Sequence, residues 1–191
     1  GKNEAIRRRD LAVLWHPTTQ MKDHEWLSLL PVSSGKGVWL EDMEGKRYID
    51  AISSWWVNLF GHANPHISAA VSAQAQRLPH VILAGVTHEP AVRLAEKLVA
   101  ITPAGLDRVF YADSGAAAVE ISLKMSFHYW RNVGESGRKR FVTLSNSYHG
   151  DTLGALGVGD AGLFKAAYEP LFMEPLVAPS PDCFALPRQQ W

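Results

Sequence analysis

The first apolar rhythm in the chain is helical. Ile6 and the run Leu11, Ala12, Val13, Leu14 predict a short helix over 3–14. Trp15-His16-Pro17 ends it, because proline disfavours the helical region at the residue before it. Residues 18–34 keep no period and read as loop, with a short turn at 24–30. Alternation then takes over. Residues 37–42 and 47–50 read as two strands, and Met43-Glu44-Gly45-Lys46 supplies a turn with glycine where a positive φ is needed, which makes a β-hairpin. Helical spacing returns after Asn64-Pro65, with Ile67, Ala70, Val71, Gln74 and Leu78 in step and proline tolerated in the first turn. A further helix starts near Glu89-Pro90 on the stripe Ala91, Leu94, Ala95, Leu98, Ile101, and Thr102-Pro103-Ala104-Gly105 stops it.

Beyond that point the pattern alternates between element types. Residues 107–112 predict a strand, Asp113-Ser114-Gly115 a turn, and 116–131 a helix with Val119, Leu123, Ser126, Phe127 and Trp130 on one face. Residues 141–144 predict the next strand. Strand, helix, strand at this spacing is a βαβ unit, normally parallel and right-handed. Five prolines (Pro170, Pro175, Pro179, Pro181, Pro187) break up 168–191, leaving 173–178 as one more short strand. The expectation is an α/β chain with an unclosed sheet.

Composition changes this picture little. The length of 191 residues suits one ordinary domain, and 47% hydrophobic content is normal for a globular chain. Lys+Arg and Asp+Glu both number 19, so nothing marks an electrostatic footprint for nucleic acid or an anionic membrane. Arg7-Arg8-Arg9 reads as a solvated helix face. The lone Cys183 permits no intramolecular disulfide, which suits a reducing compartment, and no apolar run reaches the length of a membrane span. The expected location is cytoplasmic. Seven tryptophans are many, and each needs a partner for its N–H when buried, so Trp55-Trp56 is weighed both as pocket wall and as core.

Three segments could carry chemistry. In Tyr111-Ala112-Asp113-Ser114-Gly115-Ala116 a strand delivers the chain to a sheet edge, Ser114 can cap the helix, and Gly115 lets backbone approach closely. The N–H groups of Gly115 and Ala116 then face outward at the positive end of the helix dipole, an arrangement that suits a phosphate. The residues match neither GxxxxGK[ST] nor GxGxxG, and they would equally serve an ordinary Ser-capped helix. Ser145-Asn146-Ser147-Tyr148-His149-Gly150-Asp151-Thr152 follows the next strand and puts an aromatic ring at the same edge, where it could stack on a flat cofactor. Ser53-Ser54-Trp55-Trp56-Val57-Asn58-Leu59-Phe60-Gly61-His62 is too aromatic for a linker and too polar for a core strand, and one Trp facing a pocket with the other facing the core fits it. His62, His66, His80 and His88 invite a metal, but Pro65 interrupts the first pair and no cysteine is near, so zinc is weakly supported. Cys183 has no evident base and reads as incidental.

Strand–Asp113-Ser114-Gly115–helix followed by strand–Tyr148-His149-Gly150-Asp151-Thr152 resembles the class III aminotransferases, pyridoxal 5′-phosphate enzymes of fold type I. Leu14-Trp15-His16-Pro17, Gln20-Met21-Lys22, the segment from Asp50 to Trp56, the segment from Gly85 to Ala91, and the Tyr129-Trp130 end of the third long helix narrow the resemblance to the branch that acts in biotin synthesis. It covers nearly the whole chain. It implies 1–60 as an N-terminal segment of the small domain and 61–191 as the first part of the large cofactor domain. Gly115 and Ala116 would hold the cofactor phosphate, Tyr148 would stack on the pyridine ring and line the substrate site, and Trp55 would wall the substrate pocket. The implied reaction is a ping-pong transfer of the amine of S-adenosylmethionine to 8-amino-7-oxononanoate in a homodimer. Thr18 stands where some members have a substrate-contacting Tyr, which it cannot replace in reach. The resemblance places the lysine that binds the cofactor covalently beyond residue 191. Lys124 and Lys165 lack its context and read as surface. The 191-residue chain by itself is therefore expected to show no transaminase activity, which a turnover assay with 8-amino-7-oxononanoate checks directly.

Overall fold

The computed structural model describes residues 1–182; Cys183, Pro187 and the terminal Gln189-Gln190-Trp191 lie outside the described residues. The chain divides into two units, Gly1–Glu89 and Pro90–Trp191.

In the first unit, helix α1 (Lys2–Val13) and a 3-10 turn (Met21–Glu25) precede three strands. These are β1 (Val32–Lys36), β2 (Trp39–Asp42) and β3 (Arg47–Ile49), antiparallel in the order β1-β2-β3. The β2–β3 hairpin is the expected one, with Gly45 at φ 86 in its turn. Strand β1 falls in the stretch read as loop. Its sequence Val-Ser-Ser-Gly-Lys has no apolar alternation, so only pairing with β2 defines it. The register shifts between Val32 and Ser34, a bulge in which the Ser33 hydroxyl reaches the carbonyl oxygens of Glu41 and Asp42 at 3.0 and 2.9 Å.

Buried Asp42 organises the hairpin turn. Its carboxylate accepts from Asn3 Nδ2 (3.0 Å), the N–H of Glu44 (2.9 Å), the N–H of Lys46 (3.0 Å) and Tyr48 Oη (3.1 Å). Asn3 in turn accepts from the Met43 N–H at 3.1 Å, which docks α1 onto the turn through a buried amide rather than an apolar stripe. The arginine run is only partly the solvated face expected: Arg7 is half-buried and its Nε donates to the Leu29 carbonyl at 2.7 Å.

After β3 comes a single helical turn, Ser53–Trp56, with φ of 50, 47, 67 and 66°. This turn is left-handed, a conformation costing roughly 1–2 kcal/mol for each non-glycine residue. Trp55 and Trp56 stack obliquely on each other with centroids 5.2 Å apart, and both are exposed, 64 and 72%. The part of the expectation that gave one ring to the core is not met, since neither is buried, and four consecutive positive φ values follow neither the strand nor the right-handed helix period. Helix α2 (Pro65–Arg77) follows, capped by Asn64, whose side-chain oxygen accepts from the N–H groups of His66 and Ile67 at 3.1 and 3.2 Å.

The second unit contains α3 (Glu89–Ile101), α4 (Gly115–Asn132), β4 (Val142–Leu144), α5 (Leu153–Gly157), α6 (Gly162–Lys165), a 3-10 turn (Ala166–Leu171) and β5 (Leu176–Ala178). Strands β4 and β5 pair in parallel, Val142 with Leu176 and Leu144 with Ala178, across the helical crossover that a parallel pair requires. The strand expected at 107–112 is not formed among the described residues. A strand needs a neighbour to take up its backbone hydrogen bonds, and no described strand pairs with this segment. Phe110 is 68% exposed, and Tyr111 Oη ties the segment to the Ala91 carbonyl at 2.6 Å instead. The βαβ connection thus falls one step later than expected. Among the described residues the buried apolar side chains are Ala155, Leu156 and Val158, all at or beside α5.

Burial alone would raise the Asp42 carboxyl, but its donors, Asn3 foremost, outweigh this and hold it at about 2 against an ordinary 3.8. A depressed carboxyl contributes its stability above the ordinary value and loses it as pH falls toward the folded value. Acid titration followed by circular dichroism is expected to show stability falling between pH 3.8 and about 2. Asp42→Asn should be less stable at neutral pH and flatter across that window.

Candidate functional site

The site forms where α4 begins. Ser114 is its N-cap, extended at φ −151 and ψ 164, and its Oγ accepts from the Ala117 N–H at 3.1 Å. Ala118 N–H donates to the Ser114 carbonyl at 3.0 Å. No described residue accepts from the N–H of Gly115 or Ala116, so two donors remain at the positive end of an 18-residue helix. A Cβ built on Gly115 would meet nothing within 4 Å, so the approach to these amides is open.

The loop after β4 passes across this helix end. Gly150, at φ 124, lies so close that an added Cβ would stand 2.5 Å from Ala116 Cβ and 2.8 Å from its Cα. Only glycine permits that crossing, on both steric and backbone grounds. The base of the loop is fixed by Ser145 N–H on the Ala178 carbonyl (2.8 Å), by buried Thr143 sharing a hydroxyl bond with Ser147 (2.9 Å), and by Asn146 N–H on Asp160 (3.0 Å).

Its far end is held by one atom. Glu120 Oε1 accepts from Thr152 Oγ1 (2.6 Å), the Gly154 N–H (2.8 Å) and the Ala155 N–H (3.2 Å). The Thr152 hydroxyl first, and then these amides, hold the Glu120 carboxyl below its ordinary range against the opposing effect of partial burial. A Cβ on Gly154 would clash with this carboxylate. Glu120 lies one helical turn after Ala116, on the same face of α4.

Gly115, Ala116, Val119 and the run from Tyr148 to Thr152 together line an open cavity of about 730 Å³. The structure thus brings Gly115, Ala116 and Tyr148 together, as the sequence led us to expect. The Tyr148 hydroxyl is bonded to Asp151, and this carboxylate, with some burial, raises the phenol above its ordinary 10, so the hydroxyl keeps its proton throughout the neutral range. Trp55 belongs to the other unit. Lys124 is exposed, while Lys165 is half-buried and its amine donates to the Gly159 carbonyl at 3.1 Å. Sequence reasoning assigned Gly150 only a tight His149-Gly150 turn, and gave no role to Glu120 or Asp151. The signal for Glu120 was available: it stands four residues after Ala116, and Thr152 is a helix-capping residue beside backbone donors that need an acceptor.

A second cavity, about 350 Å³, is lined by Trp130, Arg138, Lys139 and Arg140 at the other end of α4. There the helix dipole is negative, and Arg138 is already stacked on the Trp130 ring at 4.0 Å. It is the poorer phosphate site. Among the described residues no group of three or more His, Cys, Asp or Glu could hold a metal, and no helix is long and apolar enough to cross a membrane.

Comparison with known proteins places this geometry. Residues 20–190 match the family described as Aminotransferase class-III. An adenosylmethionine-8-amino-7-oxononanoate aminotransferase from Anoxybacillus flavithermus is 50% identical over 174 residues, which is 91% of this chain and 38% of that protein. One from Helicobacter pylori is 45% identical over 179 residues, 93% of this chain and 41% of that protein. The crystal structure of the enzyme of this name from Methanocaldococcus jannaschii matches with a TM-score of 0.88 and 41% identity, over 93% of this chain and 41% of that one. An omega transaminase from Pseudomonas jessenii, in complex with PMP, matches at 0.86 with 27% identity, over 95% and 41%. The chain therefore spans about two fifths of the relatives it matches. A capped helix N-terminus crossed by an aromatic loop, carried on a sequence that matches one family model over 20–190, makes this chain a member of the class III aminotransferase family.

Proposed function

We propose that the chain is the cofactor-cradling part of a pyridoxal phosphate-dependent transaminase that moves the amine of S-adenosylmethionine onto 8-amino-7-oxononanoate, giving 7,8-diaminononanoate for biotin. The observation that carries the reading is the convergence of the two free α4 amides with the Tyr148 loop around one cavity. The choice of substrates is supported by relatives that bear this enzyme's name at 41–50% identity, against 27% for the omega transaminase.

The residues suit the cofactor. Its phosphate is a compact anion, and the Gly115 and Ala116 N–H groups offer two donors at a helix N-terminus. The open space over Gly115 leaves room for it. Tyr148 supplies a flat face for the pyridine ring, and its protonated hydroxyl is held by Asp151 rather than free to ionise. Glu120 keeps the loop, and with it the Tyr148 ring, over the helix end. Trp55 walls the substrate pocket. The bound pyridoxal phosphate supplies the electron sink for amine transfer. Residues 1–60 serve as the small-domain segment and 61–191 as the first part of the cofactor domain. In the full-length cytoplasmic enzyme a homodimer partner and the rest of the fold cover apolar side chains that stand in solvent here, such as Leu59 and Phe110.

In the purified full-length protein, cofactor absorbance and amine transfer from S-adenosylmethionine to 8-amino-7-oxononanoate are expected. Transfer only between an ω-amino acid and pyruvate would refute the substrate assignment. Gly150→Ala is expected to weaken cofactor retention about tenfold or more, since a clash of this kind costs about 1–3 kcal/mol, as equilibrium dialysis of the cofactor would register. Glu120→Ala removes the acceptor shared by the Thr152 hydroxyl and the Gly154 N–H, at about 1–3 kcal/mol for the part-buried amide, while the Ala155 N–H keeps Thr152 Oγ1 at 3.4 Å; it should also release cofactor. Glu120→Gln keeps an oxygen at the shared position and should lose much less, a contrast readable from cofactor fluorescence.

A further inference from the structure

Trp55 is displayed on backbone that should not hold itself. Four successive non-glycine residues at positive φ are a strained turn, and such strain persists only where the surroundings over-determine it. Backbone bonds close the turn locally (Ser53 N–H to the Asp50 carbonyl at 3.2 Å, Trp56 N–H to the Ile52 carbonyl at 2.8 Å, Asn58 N–H to the Ser53 carbonyl at 3.1 Å), and the side chains that tie it to the sheet are one carboxylate and one imidazole. Asp50 Oδ2 accepts from Ser54 Oγ at 2.7 Å, inside the turn, and bonds His62 Nε2 at 2.7 Å, beyond it. The Asp50 side chain is 6% exposed and that of His62 15%.

His62 is itself fixed. Its N–H and carbonyl pair with the Gly37 carbonyl and N–H at 2.8 and 3.0 Å, and its ring lies against β1, where a Cβ on Gly35 would stand 2.8 Å from His62 Cγ. Gly61 lets the chain reach this position, since a Cβ there would stand 2.9 Å from Gly37 Cα. Asp50 N–H is bonded to the Val38 carbonyl at 2.9 Å. Both ends of the segment 50–62 are thus pinned to the sheet, and one carboxylate joins the two ends to the strained turn between them.

We propose that Asp50 and His62 are positioning residues whose latch holds the left-handed Ser53–Trp56 turn and so sets Trp55 as a substrate wall. The inference rests on the transaminase reading for the role of Trp55, while the latch itself has a readout that does not depend on turnover. Trp55 and Trp56, 5.2 Å apart at 57°, form an indole pair that gives an excitonic circular-dichroism couplet.

The test uses the full-length protein and the variants Asp50→Ala, Asp50→Asn, His62→Gln and Ser53→Gly. Asp50→Ala is expected to lose the couplet and raise KM for 8-amino-7-oxononanoate about tenfold or more, tenfold being the effect of losing one hydrogen bond to a charged group, with cofactor occupancy and kcat little changed. Asp50→Asn, which keeps one acceptor, should fall between. Glycine adopts positive φ without a Cβ penalty, so adding Ser53→Gly to Asp50→Ala should restore much of the couplet and of KM. If Asp50→Ala does not fold, His62→Gln is read the same way. An intact couplet with unchanged KM, or a fall in kcat and cofactor occupancy together, overturns the latch. If the wild type fails to use S-adenosylmethionine, the substrate reading falls and the couplet alone decides the latch.

Discussion

The candidate site depends on a single carboxylate oxygen. Glu120 Oε1 gathers a hydroxyl and two backbone amides from the start of α5, so the loop between β4 and α5 is anchored to α4 only six residues after its cap. Without that acceptor, the Thr152 hydroxyl and the Gly154 N–H would have to find water, and nothing else among the described hydrogen bonds draws the α5 end of the loop toward α4. The other constraints follow from the closeness it enforces. Gly154 must lack a side chain to let the carboxylate in, and Gly150 must lack one to cross Ala116. The same closeness aims Tyr148 at the cavity that the free amides of Gly115 and Ala116 share.

The first unit is built on the same device, used twice. Asp42 closes the hairpin turn with four donors, and Asp50 joins a strained turn to a fixed histidine. In each case a short side chain accepts from several groups at once, and a lowered carboxyl pKa is the electrostatic trace: Asp42 and Asp50 are both held at about 2, Asp50 first of all by the Ser54 hydroxyl. Apolar burial is slight by comparison. Leu59 and Val57 are 79 and 77% exposed, so local polar closure rather than a hydrophobic core sets the geometry of these segments.

This division explains what the sequence disclosed. Elements with their own rhythm or chemistry were legible: α2 from Asn64-Pro65, the β2–β3 hairpin from Gly45, α4 from its Ser114 cap. The convergence of the helix cap and the aromatic loop was legible as well, because a cap, a glycine and a following aromatic loop are local signals. Elements defined by a partner were not. Strand β1 has no alternation of its own and exists through β2, whereas 107–112 has a strand's composition and finds no described partner. Charged residues that act at a distance were also hidden. Glu120 and Asp50 stand in sequence as ordinary carboxylates, and their roles appear only when residues 32 to 35 and 12 positions away arrive beside them.

The contrast bears on which parts of the molecule can hold their form independently. The cradle is closed by bonds between residues 114 and 178, and the latch by bonds between 37 and 62, so each depends on loop closure whose entropic cost grows only slowly with length. The apolar faces are another matter. Side chains such as Val57, Leu59, Phe60 and Phe110 gain nothing while in solvent, and roughly 25 cal/mol per Å² becomes available only when a surface covers them. Polar closure therefore shapes these local elements, and apolar burial contributes only where a further surface covers the exposed faces. A change at Glu120 or Asp50 should then act on ligand geometry before it acts on assembly, while a change at an exposed apolar side chain should act in the reverse order.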